Sequence, residues 1–325
     1  MWQLAQAIVL LLLAGQSVAD VLPDPDYGPL TGIFGFPTST EGGVIVGRGQ
    51  HSWGTSLGAA SHSIDETNDG ENLRIDGETT GLVVTYRYGI SDKLDIGIEV
   101  PYLWHQSGNL DSLIDSWHGF FGLPEGSRPM RKQDQLEFIY TDSESTLIDM
   151  TNNSHGVGDA RLLAGWQLSK SATHSTALQL GVKLATGDSD ALLGSGGTDI
   201  SLGFSRDGIG VLGNANLSSF YRVNVTYLGE PDQLANRYND LVGQFAFGFG
   251  YRADQNVDLR LQSRIRSAVY DSEIDNLGAV SMSLNFGATF RLSQHYRLGL
   301  SVGEDVKSGS APDVSFQIAL NYVEQ

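Results

Sequence analysis

The chain has 325 residues and a formal net charge of −18, from 38 acidic against 20 basic residues. That balance argues against nucleic acid as a partner, because phosphate binding needs clustered Lys and Arg. Hydrophobic residues reach 40%, yet no internal run of about 18 apolar residues is long enough to cross a bilayer as a helix. Cysteine is absent, which excludes disulfides, thiolate metal ligands and cysteine nucleophiles, and nothing in the composition calls for a cofactor or a metal.

In chain order, Met1-Trp2-Gln3 precedes a mostly apolar run from Leu4 to Ala14, with small residues at Ser17 and Ala19. This is the pattern of an export signal over residues 1–19, cleaved before Asp20, although its first residues carry no Lys or Arg. The run is short for a spanning anchor, and no cysteine follows it to carry a lipid. Residues 20–50 read as an N-terminal periplasmic or plug-like segment, and residues 51–325 as one β-barrel.

From residue 51 onward, apolar and polar residues alternate with period two, the pattern of strands with two unlike faces. Near the C-terminus, Val314, Phe316, Ile318, Leu320 and Tyr322 interleave with Ser315, Gln317, Ala319 and Asn321. The alternation predicts twelve strands, near 51–62, 73–88, 93–104, 157–168, 176–185, 199–206, 210–222, 241–252, 255–266, 278–291, 295–304 and 313–323. Their length, roughly 9–12 residues, suits a tilted bilayer crossing. Short turns such as Ala253-Asp254 alternate with longer connections, the longest being 105–156. Short turns on one side and long loops on the other describe an all-β, antiparallel transmembrane barrel of the bacterial outer membrane, with both termini periplasmic. Tyr86, Tyr88, Tyr102, Trp104, Trp166, Tyr221, Tyr251, Tyr296 and Tyr322 fall near predicted strand ends as candidates for interfacial girdles. The expected partners are outer-membrane lipid, lipopolysaccharide and the barrel-assembly machinery. The terminal aromatic usual in such barrels is displaced inward to Tyr322.

Within the longest connection, Leu110, Leu113, Ile114 and Trp117 have amphipathic helical spacing, with Asp111 and Asp115 on a separate face and His118 one turn on. Gly119, Gly122 and Pro124 end that helix. Its apolar face either folds into the barrel mouth as a gate or rests at the lipopolysaccharide interface; the polar return Arg128–Asp134 favours the mouth. The run "LDSLIDSWHGFFGLPEGSRPMR" at 110–131, with "DGET" at 76–79 and "YRYGISDKLDIGIEVPY" at 86–102, resembles the DUF3187 family of uncharacterised proteobacterial outer-membrane barrels. The resemblance implies an outer-membrane location and supplies no activity.

Alternation places Arg87, Arg161, Lys183, Arg222, Arg260, Arg264, Arg266, Arg291 and Arg297 on the lumen face, with Asp95, Glu99 and Asp258 as the acidic exceptions. A mostly basic lumen would concentrate anions; a structural Arg–carboxylate ladder is the equally weighted alternative. Asp111, Asp115 and His118, with His105 and His155, form a candidate cation site, for which a solvated helix face is the simpler account. Gly156-Val157-Gly158-Asp159 lacks the lysine of a phosphate loop and reads as a turn into a strand. The leading expectation is a non-enzymatic small channel or binding protein for anionic or amphipathic small molecules. One alternative is a lipid-modifying hydrolase using His105 with Ser107, His62 with Ser61 or Ser63, or His155 with Ser154. The other is a closed structural or surface-interaction barrel.

Overall fold

The computed structural model describes residues 21–37, 42–108, 135–143, 145–307 and 314–324. In chain order the strands are β1 (His51–Asn68), β2 (Glu71–Ser91), β3 (Leu94–Gln106), β4 (Glu137–Thr141), β5 (Thr146–Met150), β6 (Ser154–Val157), β7 (Arg161–Lys170), β8 (His174–Lys183), β9 (Asp199–Ile209), β10 (Leu217–Tyr227), β11 (Leu241–Asp254), β12 (Val257–Arg266), β13 (Ser281–Arg291), β14 (Tyr296–Lys307) and β15 (Val314–Val323). All but β4, β5 and β6 form a closed antiparallel barrel of twelve strands. Closure comes from β1 on β15, where Trp53 lies opposite Tyr322, and from β3 on β7, where Leu94 lies opposite Trp166.

Period-two alternation becomes an inside-out barrel. Outward residues such as Leu202, Phe249 and Phe286 are more than half exposed, at 57%, 53% and 60%. Inward residues such as Ser201, Gln262 and Asn285 are buried. Apolar side chains therefore meet lipid and polar ones the interior, as an outer-membrane barrel requires. Trp53, Tyr296 and Tyr322 cluster at the short-turn end, with Tyr322 centred 5.8 Å from Trp53 and 5.3 Å from Tyr296. Tyr86, Tyr88, Trp166 and Tyr251 lie toward the same end, while Tyr102 and Trp104 (4.5 Å apart) lie toward the other. Tyr221 departs from the expected girdle and sits near the middle of β10.

The structure corrects the strand reading in three places. The expected loop after the first strand is instead a continuation of both strands, with Asn68 opposite Glu71. Asp69 and Gly70 turn there with φ of 42° and 82°, the left-handed pair that a two-residue hairpin demands. The seventh barrel strand begins at Leu217, because Gly210, Leu212 and Gly213 all take positive φ and break the extended backbone. The fourth is interrupted between β6 and β7, opposite Pro101, which has no N–H for the ladder. Gly158 N–H still donates to the Pro101 carbonyl at 2.9 Å, while Asp159 turns inward.

Beyond the barrel, β4 and β5 extend the β1–β2 hairpin into a small sheet on the long-loop side. Leu73, Ile75, Phe138 and Tyr140 pack there with Val269, Tyr270 and Ile274 from the β12–β13 connection, and with Leu30 and Phe34 from the N-terminal segment. This apolar cap is braced by Glu71, which pairs with Arg237 and accepts from Ser272.

Gly70→Ala is expected to destabilise the hairpin by about 1–2 kcal/mol, because an L side chain resists the left-handed region. The check is the urea midpoint of lipid-refolded barrels; an unshifted midpoint would count against the turn assignment.

Candidate functional site: a lumen filled by the N-terminal segment

Residues 21–37 and 42–47 lie inside the barrel, and Arg48 and Gly49 emerge at its rim. Leu22 begins beside the middle of β12, where its N–H donates to Gln262 Oε1 at 3.2 Å and its carbonyl accepts from Gln262 Nε2 at 3.1 Å. The segment then climbs: Arg264 Nη1 donates to the Asp24 carbonyl at 2.6 Å, Arg266 pairs with Asp26, and the Tyr270 hydroxyl donates to the Leu30 carbonyl at 2.7 Å. It turns under the cap and descends along β9, with Gly35 N–H on Asp199 at 2.7 Å and Gly43 N–H on Asp207 at 2.8 Å. Gln167 takes both sides of the backbone again, donating to the Gly43 carbonyl and accepting from Ile45 N–H. Val46 N–H reaches Asp95 at 2.9 Å, and Arg48 bridges to Gly89 near the end of β2 before β1 starts.

The local chemistry explains this arrangement. A segment with prolines at 23, 25, 29 and 37 cannot join a strand ladder along its length. Its buried N–H and C=O groups must still be paired. The wall supplies side-chain amides and carboxylates at the required positions. Gln262 and Gln167 each stand in for a neighbouring strand.

The inward cations stand among carboxylates, so the lumen is not the free basic lining that alternation suggested. Arg87 meets Asp95 at 2.7 Å and Arg161 meets Glu99 at 2.9 Å. Lys183 sits between Asp159 (2.5 Å) and Asp199 (3.4 Å). Arg222 faces Asp207 at 3.4 Å and lies 4.4 Å over the Phe220 ring, and Arg260 meets Asp258 at 3.8 Å. Arg264 and Arg266 meet acids of the N-terminal segment, Asp24 and Asp26. Arg291 sits at the short-turn rim on the Gln255 carbonyl at 2.9 Å, and Arg297 is buried along the lumen. Sequence reasoning missed Asp24, Asp26, Asp159, Asp199 and Asp207. For two of these the signal was present, since Asp199 and Asp207 share parity with Ser201, Gly203 and Ser205.

One cavity of about 550 Å³ lies between the segment and the wall, reaching the short-turn rim at Val323 and Glu324. Pro23, Pro25 and Val44 form its apolar side, and Ser56, Arg297 and Asn321 its polar side. A second, of about 80 Å³, lies deeper, where Phe34, Leu103 and Leu193 meet the charged Glu99, Arg161 and Lys183.

The expected gate residues Leu110, Asp111, Leu113, Ile114, Asp115, Trp117 and His118 lie outside the described residues, as does the export signal over 1–19. The proposed Ser–His pairs at His105 and His155 are not assembled. His105 is held by Thr79 Oγ1 and the Leu192 carbonyl, both at 3.0 Å, while His155 takes the Tyr102 hydroxyl at 2.9 Å and Ser154 donates to the Ala191 carbonyl. His62 packs edge-on to Phe138 inside the cap rather than at the rim. In that cap, burial beside the Glu71 carboxylate pushes the Tyr140 phenol up to about 12.

The family described as "Protein of unknown function (DUF3187)" matches residues 18–323. No curated protein matches the sequence. Among solved structures, the fold is similar to the COG4313 outer membrane channel from Pseudomonas putida F1, at 14% identity and a TM-score of 0.58, over 89% of this chain and 100% of that one. Lesser similarity is found to the NanC porin (8% identity, TM-score 0.46, 84% and 98% covered) and to the Pseudomonas putida toluene transporter TodX (10%, 0.40, 94% and 97% covered).

Arg266→Gln leaves Asp26 buried without its counter-charge and is expected to cost about 3–5 kcal/mol. Adding Asp26→Asn should recover much of that loss, because the penalty lies in the orphaned charge. A double-mutant cycle on urea unfolding measures it; additive single effects would show that the two side chains do not interact.

Proposed function

The chain belongs to the DUF3187 family, and we propose that it is an outer-membrane channel held shut by its own N-terminal segment, carrying small amphipathic molecules. The observation behind this reading is the kind of matter that fills the lumen. A barrel of about eight strands is filled by side chains from its own strands. Here the interior is wide enough for a chain segment that enters, turns and returns, hung on hydrogen bonds and ion pairs. Such contacts break without breaking the barrel.

The large cavity supports the cargo class. An apolar side from Pro23, Pro25 and Val44 faces a polar one that holds Arg87, Arg222 and Arg297 beside Asp95 and Glu99, which suits a molecule with an apolar body and a polar head. The overall likeness to a solved outer membrane channel agrees with this reading at the level of fold. A non-enzymatic role fits the histidines at the external end, since His105 and His155 have partners other than serine. One observation favours a permanently closed barrel instead: the tip of the segment, at Leu30 and Phe34, is embedded in the apolar cap.

Planar-bilayer recording separates the two. The native protein is expected to show little current, and Arg264→Gln with Arg266→Gln, which removes two anchors of the segment, to show frequent openings. Deletion of residues 21–47 should give a steady open level. Silence from all three, in barrels that insert normally, would leave only the closed structural role.

A further inference from the structure

From Leu22 to Leu30 the segment follows one strand of the wall. The Leu22 backbone meets Gln262, the Asp24 carbonyl meets Arg264, Asp26 meets Arg266 and the Leu30 carbonyl meets Tyr270, with the same offset of 240 residues at each step. Alternate residues face β12, while Pro23 and Pro25 turn toward the large cavity and the Tyr27 ring lies on Gly58 and Gly81. From this register we propose that the inner face of β12 is a binding site for short extended peptides with acids on alternate residues and apolar residues between them. The segment occupies that site as an internal competitor. The proposal rests on the channel reading above and gives that channel its cargo, a peptide that takes the segment's place.

The parts of the site follow the repeat of an extended chain, in which every second residue lies about 7 Å further on. The Leu22 side chain is fully buried, and a Cβ on Gly287 would come within 2.9 Å of its Cδ1. Gln262 offers a donor and an acceptor to the backbone of that residue, which any peptide can meet. Arg264 donates to the Asp24 carbonyl and stands 3.5 Å from the Asp24 carboxylate. Arg266 pairs with Asp26 and lies 4.8 Å over the Phe36 ring. None of these contacts calls for an N–H at residues 23 and 25, where proline has none and holds the backbone extended.

The charges elsewhere on the wall set this strip apart. Glu99 lies opposite Arg161 and Asp199 opposite Lys183 in the strand registers, so these cations keep their carboxylates whatever fills the lumen. Arg87, Arg222 and Arg260 likewise meet Asp95, Asp207 and Asp258 of the wall. The register neighbours of Arg264 are Ala246 and Ser283, and those of Arg266 are Gln244 and Ser281. The acids that these two arginines meet, Asp24 and Asp26, belong to the segment and leave with it. An open lumen then presents two inward guanidinium groups two residues apart on one strand, and guanidinium binds carboxylate by charge-assisted hydrogen bonds. A guest with one acid, or with two side by side, would take the place of only one of the lost carboxylates. A peptide with acids on alternate residues replaces both.

Fluorescence anisotropy in lipid nanodiscs tests the site on the full chain. In the Asp24→Asn, Asp26→Asn variant the segment loses its acids and the wall keeps both arginines. A labelled peptide spanning residues 21–30 is expected to bind this variant about thirtyfold more tightly than the same peptide with Asp24→Asn and Asp26→Asn. Exchanging residues 24 and 25 of the peptide sets the acids side by side and should lose most of that gain. Adding Arg264→Gln and Arg266→Gln to the chain should remove the preference. If the doubly substituted chain does not fold, Asp26→Asn alone takes the acid from Arg266, and the same peptides are compared. Equal binding of acidic and neutral peptides, or a preference that survives loss of both arginines, would overturn the site. The unrelated peptide Leu-Ala-Asp-Ala-Asp-Phe has the same spacing; it should bind the variant too and raise the opening frequency of the native chain in the bilayer. Binding by the segment's own sequence alone would overturn the ligand class. Openings after Arg264→Gln and Arg266→Gln, with no preference between peptides, would leave the channel reading standing and refute this proposal. A clear preference in a barrel that stays silent in every bilayer variant would refute the channel reading and leave the site.

Discussion

Backbone pairing without water is the constraint on which the rest of the structure depends. In the bilayer the strands meet it by closing, with β1 on β15 and β3 on β7, so that no edge faces lipid. Inside the barrel the same requirement returns for a proline-rich segment that cannot form a ladder. The wall answers with side chains. Gln262 and Gln167 offer donor and acceptor together, while Asp95, Asp199 and Asp207 each take one N–H. A polar inner face that suggests a water-filled pore is in good part a template for a peptide backbone.

The distribution of charge follows from that template. A basic lumen in a protein of net charge −18 is unexpected on electrostatic grounds, and it does not survive the geometry. Asp24 and Asp26 bring negative charge in with the segment, and Asp159, Asp199 and Asp207 supply it from the wall. Buried ion pairs contribute little net stability once desolvation is counted, but they penalise every arrangement that separates them. Spaced along β12, Arg264 and Arg266 meet Asp24 and Asp26 at one depth only. A shift of the segment by a single residue would strand charges, so these pairs fix its register much as a turn fixes that of a hairpin.

Strand existence was legible because lipid on one side and protein on the other enforce period two on each of the long strands. Boundaries were legible only where a turn signal was local. Asn68-Asp69-Gly70 carried one, yet alternation ended the first strand at 62 and missed the continuous hairpin that this turn closes; the late start of β10 depends on backbone angles at Gly210, Leu212 and Gly213 that alternation does not encode. The parity of Asp199 and Asp207 marked them as inward residues. The role of Asp24, Asp26 and Tyr27 was not legible. Their partners Arg264, Arg266, Gly58 and Gly81 are far away in sequence, and the segment that carries them has no period of its own.

The same separation explains why the wall has two characters. Where the segment is held, the inner face needs groups that reach, and β7, β9 and β12 supply Gln167, Asp199, Asp207, Gln262 and Arg264. Where it is not held, reach would only fill space, and the β1 face carries Gly54, Ser56 and Gly58. A lumen packed evenly by long side chains would have left neither the 550 Å³ cavity nor a seat for Tyr27. The small residues of β1 therefore leave room beside the segment, and the 550 Å³ cavity lies between Gly54 and Ser56 on that side and Arg87, Asp95 and Gln179 on the other.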